Sequence, residues 1–430
     1  MSKLKLTSII FLVITFAIGQ GAWAAGPQSE SNSPPLTILC QPTSVTSGFT
    51  AELDWIRDTY GIKSEVEVVA GGSEGVNVIK MRIATDELPD ILVFNSGSLF
   101  TALNPQATFL PLTNEPFMKN VDEGFKKTVM VNDEVYGVPI RPMNFGGWLY
   151  NKKEYARLGL KVPKTWAELI YNSEKIKASG KTAVIGSFKS SWTTQIVVLA
   201  DFYNVQMLEP SFATEYTANK AKYATTKAAL RSFEKLYEIS AKGFMNRDYM
   251  STSYDDAQQM LVDGTGVQWP MLSQVLPVMA QKFPDKIKDI GMFPQPSDNP
   301  NINGFTVWMP NAFYITKSCK DVVKAKKFIE HYISMAGLNV FKSAQTLDGV
   351  FLIKSASSMS DLLPAVNDIA QYTNQGKFAP ALEFLSPVKA PNLPQICAEV
   401  GTGSVSALNG AKMADDDTTK QAKQLNLPGW

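Results

Sequence analysis

Short and long apolar patterns alternate along the first hundred residues. Short alternating or continuous apolar runs favour strands, whereas longer runs with apolar residues every three or four positions favour helices. In the segment 49–60, Leu53, Ile56 and Tyr60 share one helical face and Gly61 marks its end. The pattern predicts strands at 36–40, 64–70 and 90–95, with helices at 49–60 and 75–85. This order predicts an α/β fold with a parallel sheet.

Polar loops follow the first and third of these strands. Strands of an open parallel sheet end at one edge, where ligands bind in folds of this kind. Residues 42–48 and 95–98 are therefore expected to form a common rim. Thr46, Asn95 and Ser96 are polar candidates for ligand contacts at this rim.

A second set of patterns begins near residue 144. It predicts strands at 184–187, 267–269 and 312–316, and helices at 226–242, 253–262, 320–334 and over most of 393–425. About 400 residues exceed what one core usually serves, so two domains are expected. We assign residues 36–143 and 297–352 to an N-terminal lobe, and 144–296 and 353–430 to a C-terminal lobe. The chain is therefore expected to cross between the lobes at several neighbouring positions. These crossings predict a multi-strand hinge that closes on a ligand.

The segment YNKKEYARLGLKVPKTWAEL, residues 150–169, carries detailed local signals. A strand ends near Tyr150, and a short amphipathic helix follows. Gly159 is placed to end that helix with positive φ. Thr165 and Glu168 form a capping box for a second helix. The segment predicts a strand followed by two capped helices.

The N-terminus has the pattern of an export signal. Lys3 and Lys5 precede an apolar stretch at 6–18, and Ala22-Trp23-Ala24 matches a cleavage site. We expect a signal peptide over residues 1–24, cleavage near Ala24/Ala25 and a disordered lead-in at 25–35. A retained membrane anchor is the alternative, although the apolar stretch is short for a transmembrane helix.

Composition limits the chemistry. Forty-one basic and forty acidic residues nearly cancel, so a nucleic-acid partner gains no support. The single histidine, His331, and three scattered cysteines predict no metal site and no Ser-His-Asp or Cys-His nucleophile. An odd cysteine count leaves at least one thiol unpaired within the chain. Cys319 and Cys397, expected near exposed helix ends, are the preferred disulfide pair, and three reduced thiols are the alternative.

The segment 150–169 resembles the signature of the extracellular solute-binding proteins of ABC importers, in the group that includes maltose-binding protein. Weaker similarities follow in the same order along the chain: ELPDI at 87–91, MLVDGTGVQW at 260–269 and AKKFIEHYIS at 325–334. The resemblance implies a two-lobed periplasmic binding protein fold with a ligand cleft between the lobes.

The resemblance also implies a function. The expected protein is a periplasmic monomer without cofactor or catalytic residues, which captures a carbohydrate and delivers it to the permease subunits of an importer. One alternative keeps the fold but binds an opine, a polyamine or a phosphate ester. Another is an exported carbohydrate-active enzyme, which needs two carboxylates facing one bond. No such pair stands out, and the first crossing, RPMNFGGW, contains no carboxylate.

Further candidate ligand contacts come from the expected rims and crossings. Trp269 aligns with a position where the family commonly has a sugar-stacking aromatic, and core packing is the alternative for it. The first crossing supplies Asn144, Phe145 and Trp148. A second-lobe loop supplies Trp192, and the return crossing supplies Asn311. The complete predicted set is Thr46, Asn95, Ser96, Asn144, Phe145, Trp148, Trp192, Trp269 and Asn311.

Overall fold

The computed structural model describes residues 34–358 and 362–430. The predicted signal peptide and residues 25–33 of the predicted lead-in lie outside these residues. In chain order, the strands are β1 (Leu36–Cys40), β2 (Ser64–Val68), β3 (Ile91–Phe94), β4 (Met130–Val131), β5 (Glu134–Val135), β6 (Gly137–Pro139), β7 (Asn144–Asn151), β8 (Thr182–Val184), β9 (Gly266–Leu272), β10 (Ile290–Pro294), β11 (Phe305–Trp308), β12 (Ala312–Ile315) and β13 (Phe378–Pro380).

The first sheet confirms the predicted parallel arrangement near the N-terminus. Its strand order is β2-β1-β3-β12-β6. Strand β1 pairs in parallel with both β2 and β3, whereas β12 is antiparallel to β3 and β6. The carboxyl ends of β1 and β3 therefore lie at one edge of the sheet, next to residues 41–46 and 95–97.

The second sheet has the order β13-β11-β7-β9-β8, with β10 also pairing with β7. Every residue of β7 and β9 is buried. The reason is that helices cover both faces of this sheet, so neither face is exposed to water. Trp148 of β7 packs in one hydrophobic cluster, and its neighbour Leu149 packs in another.

The helices begin and end largely at the predicted capping residues. Thr165 and Glu168 form the predicted capping box, and Ser253 with Asp256 forms another. Gly61 and Gly264 end their helices with φ of 69° and 67°. The α-helices are α1 (Ser47–Tyr60), α2 (Gly72–Ala84), α3 (Ser98–Thr101), α4 (Pro105–Thr108), α5 (Glu123–Thr128), α6 (Lys152–Arg157), α7 (Trp166–Ala178), α8 (Ile196–Ala200), α9 (Phe202–Leu208), α10 (Phe212–Thr217), α11 (Lys227–Ala241), α12 (Tyr254–Asp263), α13 (Leu276–Lys282), α14 (Val322–Tyr332), α15 (Met335–Ala344), α16 (Pro364–Thr373), α17 (Leu393–Gly401) and α18 (Ala407–Gln424).

Each sheet forms the centre of one lobe, and the chain passes between the sheets three times. The first passage lies between β6 and β7, the second between β11 and β12, and the third between β12 and β13. Strand β11 falls inside the range 297–352 that the sequence assigned to the N-terminal lobe, yet it pairs with β7 of the second sheet. The return to the first sheet therefore lies at 309–311 rather than at 297.

The three cysteines are free thiols. Cys397, expected near an exposed helix end, is fully buried on α17, because that face packs in the second-lobe core. Cys319 is partly exposed and packs against the other large hydrophobic cluster. The preferred Cys319–Cys397 pairing is therefore not formed, and the alternative of reduced thiols describes the structure.

Candidate ligand cleft

An open cleft of about 1030 Å³ lies between segments of the two lobes. The first-lobe wall comes from the loop after β1 and from residues that follow α15. The second-lobe wall comes from the loop after β8, the start of α12, and α13. Arg141, in the first crossing, contributes at the base. The lining residues are Pro42, Thr43, Val45, Thr46, Ser47, Arg141, Ser190, Trp192, Tyr254, Gln274, Pro277, Val278, Ala280, Gln281, Ala344, Gln345, Thr346 and Asp348.

The second-lobe wall presents aromatic rings. Trp192 lies on a 3₁₀ turn at Ser191–Gln195, and Tyr254 is the first residue of α12. Their ring centroids are 5.5 Å apart, and both side chains are partly exposed. The backbone N–H of Tyr254 donates to Oγ of Ser190, at 3.1 Å, which ties the two loops together. The two rings are inclined by 52°, and each offers an aromatic face that suits the apolar face of a sugar ring or another apolar group.

The same apolar wall continues towards the crossing. A small cluster of Ile196, Ala200 and Leu272 lies beneath both Trp192 and Trp308. Both tryptophans are partly exposed. The wall is therefore supported by a packed layer and does not depend on one ring alone.

The first-lobe wall and the base are polar. Arg141 donates from Nη1 to the carbonyl of Thr43, at 3.2 Å. Asp348 is 4% exposed, and burial raises the pKa of its carboxyl to about 6, although the charge of Arg141 acts in the opposite direction. Gln345 accepts from the backbone N–H of Gly48, at 3.1 Å. The cleft thus combines one aromatic wall with a wall of hydrogen-bonding groups.

Comparison with known families explains this architecture. The profile of the family described as "Bacterial extracellular solute-binding protein" matches residues 44–338, well over half of the chain. The chain belongs to this family.

Two relatives by sequence share 25% identity with this chain. One is the "Multiple sugar-binding protein" of Streptococcus mutans, aligned over 264 residues, which are 59% of this chain and 60% of the relative. The other is the "Osmoprotective compounds-binding protein GgtB" of Synechocystis, aligned over 42% of this chain and 43% of the relative. The alignments thus span less than two thirds of either relative.

Solved structures show the fold over nearly the whole chain. RafE in complex with raffinose has a TM-score of 0.74 and 19% identity, covering 90% of this chain and 99% of RafE. A sugar transporter from Bacillus licheniformis in complex with stachyose has a TM-score of 0.68 and 16% identity, covering 90% and 100%. These similarities establish the two-lobed solute-binding fold that the sequence predicted.

Two of the predicted contacts, Thr46 and Trp192, line the cleft of this solute-binding protein. Thr46 also caps α1, because its side chain accepts from the backbone N–H of Phe49. Since one residue belongs to each lobe, a ligand that touched both would link the lobes.

Three other predicted residues lie at the first-lobe edge but have structural partners. Oγ of Ser96 donates to the carbonyl of Pro310, at 3.1 Å, and Nδ2 of Asn311 donates to Oγ of Ser44, at 3.0 Å. The carbonyl of Asn95 accepts from the hydroxyl of Tyr314, at 2.9 Å. These bonds hold the second crossing against the first sheet, and none of the three residues lines the cleft.

The four remaining predicted residues, Asn144, Phe145, Trp148 and Trp269, are at most 3% exposed. In this conformation they cannot touch a ligand in the cleft. Their strands lie in the middle of the second sheet, where helices cover both faces. Trp148 stacks on Phe293 and donates from Nε1 to Gln295, and Trp269 lies behind Tyr254 with its Nε1 donating to Oγ of Ser187.

Sequence reasoning missed Tyr254, Arg141 and Asp348. A signal existed for Tyr254, because the capping box at Ser253 places it at a helix start on the second lobe. Arg141 lies in the segment RPMNFGGW, the predicted first crossing, but it is not among the predicted ligand contacts. Asp348 lies in an ordinary loop after α15, and no local sequence pattern distinguishes this buried aspartate from aspartates on the surface.

Within residues 34–358 and 362–430, no helix combines the length and apolar composition that crossing a bilayer requires. In the same part of the chain, no group of three or more His, Cys, Asp or Glu side chains is arranged to hold a metal ion.

Proposed function

We propose that this protein captures a carbohydrate in the cleft and delivers it to the permease of an ABC importer. The observation that carries the proposal is the cleft itself, with Trp192 and Tyr254 on one wall and hydrogen-bonding groups on the other. Sugars have both an apolar ring face and a rim of hydroxyls, and this pair of walls suits both. The names of the relatives, which include a multiple sugar-binding protein and a complex with raffinose, agree with this ligand class.

The mechanism is closure of the lobes around the ligand. The two walls belong to different sheets, so a bound sugar adds contacts to both lobes only when the cleft is closed. Its differential affinity for the closed form then shifts the equilibrium towards that form. The first crossing lies at the base of the cleft, where Arg141 is held by the loop after β1. Small-angle scattering with saturating sugar should show a smaller radius of gyration.

The family and the N-terminal pattern support an exported location. We expect a periplasmic monomer, with the signal peptide removed near Ala24/Ala25. Mass spectrometry of the periplasmic protein should give a mature chain that begins near Ala25. Recovery from membranes alone, with residues 1–24 retained, would contradict this expectation.

Binding without turnover fits the cleft better than hydrolysis does. Asp348 is the one carboxylate among the lining residues of the cleft, and glycoside hydrolysis usually uses a pair. The aromatic wall also favours a sugar over a phosphate ester, because stacking does not compensate the loss of water from an anionic group.

Titration calorimetry with raffinose, stachyose, galactose and chitin oligosaccharides tests the proposal. Trp192→Ala should weaken binding of the recognised sugar by about 1–3 kcal/mol, the contribution of one buried apolar side chain. Trp55→Ala is the matched control, because Trp55 is also partly buried but packs on Tyr60, away from the cleft. Equal losses in the two variants, or sugar cleavage detected by chromatography, would refute the proposal.

A further inference from the structure

Two charged residues of the cleft have hydrogen-bonding atoms without partners. Nε of Arg141 and Oδ1 of Asp348 are both buried, and neither atom has a partner among the described residues. Both residues line the cleft. Buried polar atoms are paired in the great majority of native structures, so each exception calls for an explanation.

A purely structural ion pair does not explain these atoms. The two residues attract each other electrostatically, yet they leave Nε and Oδ1 unpaired instead of bonding them to each other. The guanidinium is held elsewhere, by the carbonyl of Thr43. Leaving a buried donor or acceptor unsatisfied costs about 1–3 kcal/mol, and more for a charged group. Because both residues line the cleft, a ligand bound there can supply the missing partners.

Other buried aspartates in this protein show what a structural role looks like. Asp90 is 7% exposed and accepts on both oxygens: from the backbone N–H of Lys320 and from the N–H and hydroxyl of Thr37, at 2.8–2.9 Å. Asp415 accepts from the backbone N–H groups of Tyr223 and Ala224. Asp348 differs from both because one of its oxygens has no partner and because it borders a cleft.

We propose that Arg141 and Asp348 together form the polar anchor of the cleft and recognise a diol of an uncharged ligand. One ligand hydroxyl donates to the Asp348 carboxylate, and its neighbour accepts from Nε–H of Arg141. This inference rests on the proposed sugar-binding function and deepens it. Rotation about χ2 of Asp348 is soft and exchanges its two oxygens, so the unpaired oxygen can turn towards the ligand.

The charges of the anchor set the charge of the ligand. The positive charge of Arg141 and the negative charge of Asp348 cancel, so a neutral ligand leaves the net charge of the cleft at zero. An anion would lie close to Asp348, and a cation close to Arg141, in a site where water screens charges poorly. Tyr254 faces Asp348 from the second lobe, and Tyr332 faces Arg141 from α14. Glu52 lies beside Tyr332, and burial raises the pKa of its carboxyl well above the ordinary value, which favours the neutral form. The geometry therefore selects sugars and polyols over sugar phosphates and polyamines.

Asp348→Asn tests the anchor with raffinose as the probe. The substitution retains the shape but removes the charge, so the dissociation constant should rise about 10- to 100-fold, the effect of losing a hydrogen bond to a charged group. The unfolding midpoint of the free protein at pH 7.5 should stay the same or rise, because an unsatisfied charge has been removed. Asp90→Asn is the matched control and should lower the midpoint while leaving raffinose affinity unchanged.

The outcomes separate the anchor from the proposed function. If Asp348→Asn lowers the unfolding midpoint as Asp90→Asn does and leaves raffinose affinity unchanged, Arg141 and Asp348 have a structural role. In that case the proposed anchor is wrong, whereas the proposed sugar binding is unaffected. If the wild type binds glycerol 3-phosphate or spermidine as tightly as raffinose, the selection for neutral ligands is refuted. If the wild type binds none of the neutral sugars tested above, the proposed function fails, and the anchor fails with it.

Discussion

Replacing Trp269 by alanine should reduce stability and leave sugar affinity largely intact. The side chain is 1% exposed on β9, between β7 and β8 of the second sheet. Its ring centroid lies 5.5 Å from that of Tyr254, and Nε1 donates to Oγ of Ser187 at 3.2 Å. Truncating a buried tryptophan to alanine costs about 3–5 kcal/mol.

The contacts around the indole indicate which part of that loss dominates. Oγ of Ser187 also donates to Oγ1 of Thr193, at 3.1 Å, so the truncation leaves no orphaned hydroxyl. The loss therefore comes mainly from apolar burial and from the cavity left behind. Strands on both sides of β9 hold the backbone in place, which limits collapse into the cavity. We expect the upper half of the range, about 4–5 kcal/mol.

Urea unfolding followed by far-UV circular dichroism, with raffinose calorimetry on the same samples, separates stability from binding. Trp269→Ala should unfold at a clearly lower urea concentration and, below that concentration, bind within about twofold of wild type. Trp192→Ala should behave in the opposite way. A Trp269→Ala protein with wild-type stability and strongly reduced affinity would refute the assignment of Trp269 to the core and restore it as a stacking residue.

Three further predictions follow from buried groups. The pKa of Asp348 is raised from 3.8 to about 6, so its contribution to stability is fully present below pH 3.8 and is lost as pH rises through 6. The total loss is about 3 kcal/mol in the free energy of unfolding. Urea unfolding of the wild type should show a part of this loss between pH 5 and 7.5, and Asp348→Asn should not show it. Lys235→Met should cost about 3–5 kcal/mol in the same assay, because it leaves Asp201 buried without its 2.5 Å ion-pair partner, and a near-neutral result would contradict this. Thiol titration in urea without reductant should count three free cysteines, whereas a count of one would reveal a disulfide.

Local structure was predictable because its causes lie within a few residues. The capping box of Thr165 and Glu168 needs only a hydroxyl and a carboxylate three positions apart. Gly264 ends α12 with positive φ, and a Cβ added there would also lie 2.9 Å from Glu154. Signals of this kind fixed most element boundaries to within a few residues.

Which strands lie in the middle of a sheet was not predictable in the same way. The sequence placed Trp269 at the end of a short strand, where it would face a rim. In the structure, β9 extends to Leu272 and lies between β7 and β8, so the same residue is enclosed. Similarly, β11 follows the predicted return to the N-terminal lobe at residue 297, but it pairs with β7 of the second sheet. Strand order depends on contacts between segments far apart in the chain, which a local pattern does not record.

The cleft shows why the crossings are informative even where individual residues were misassigned. Arg141 and Asp348 lie between the two sheets, and each has one buried polar atom without a partner in the described part of the chain. Arg141 lies in the first crossing and Asp348 in the passage from β12 to β13, and the two meet because both passages run between the same pair of sheets. The aromatic wall, by contrast, lies on loops anchored to the second lobe alone. A ligand held by both must resist separation of the lobes, so the hinge and the recognition of the ligand depend on the same segments of the chain.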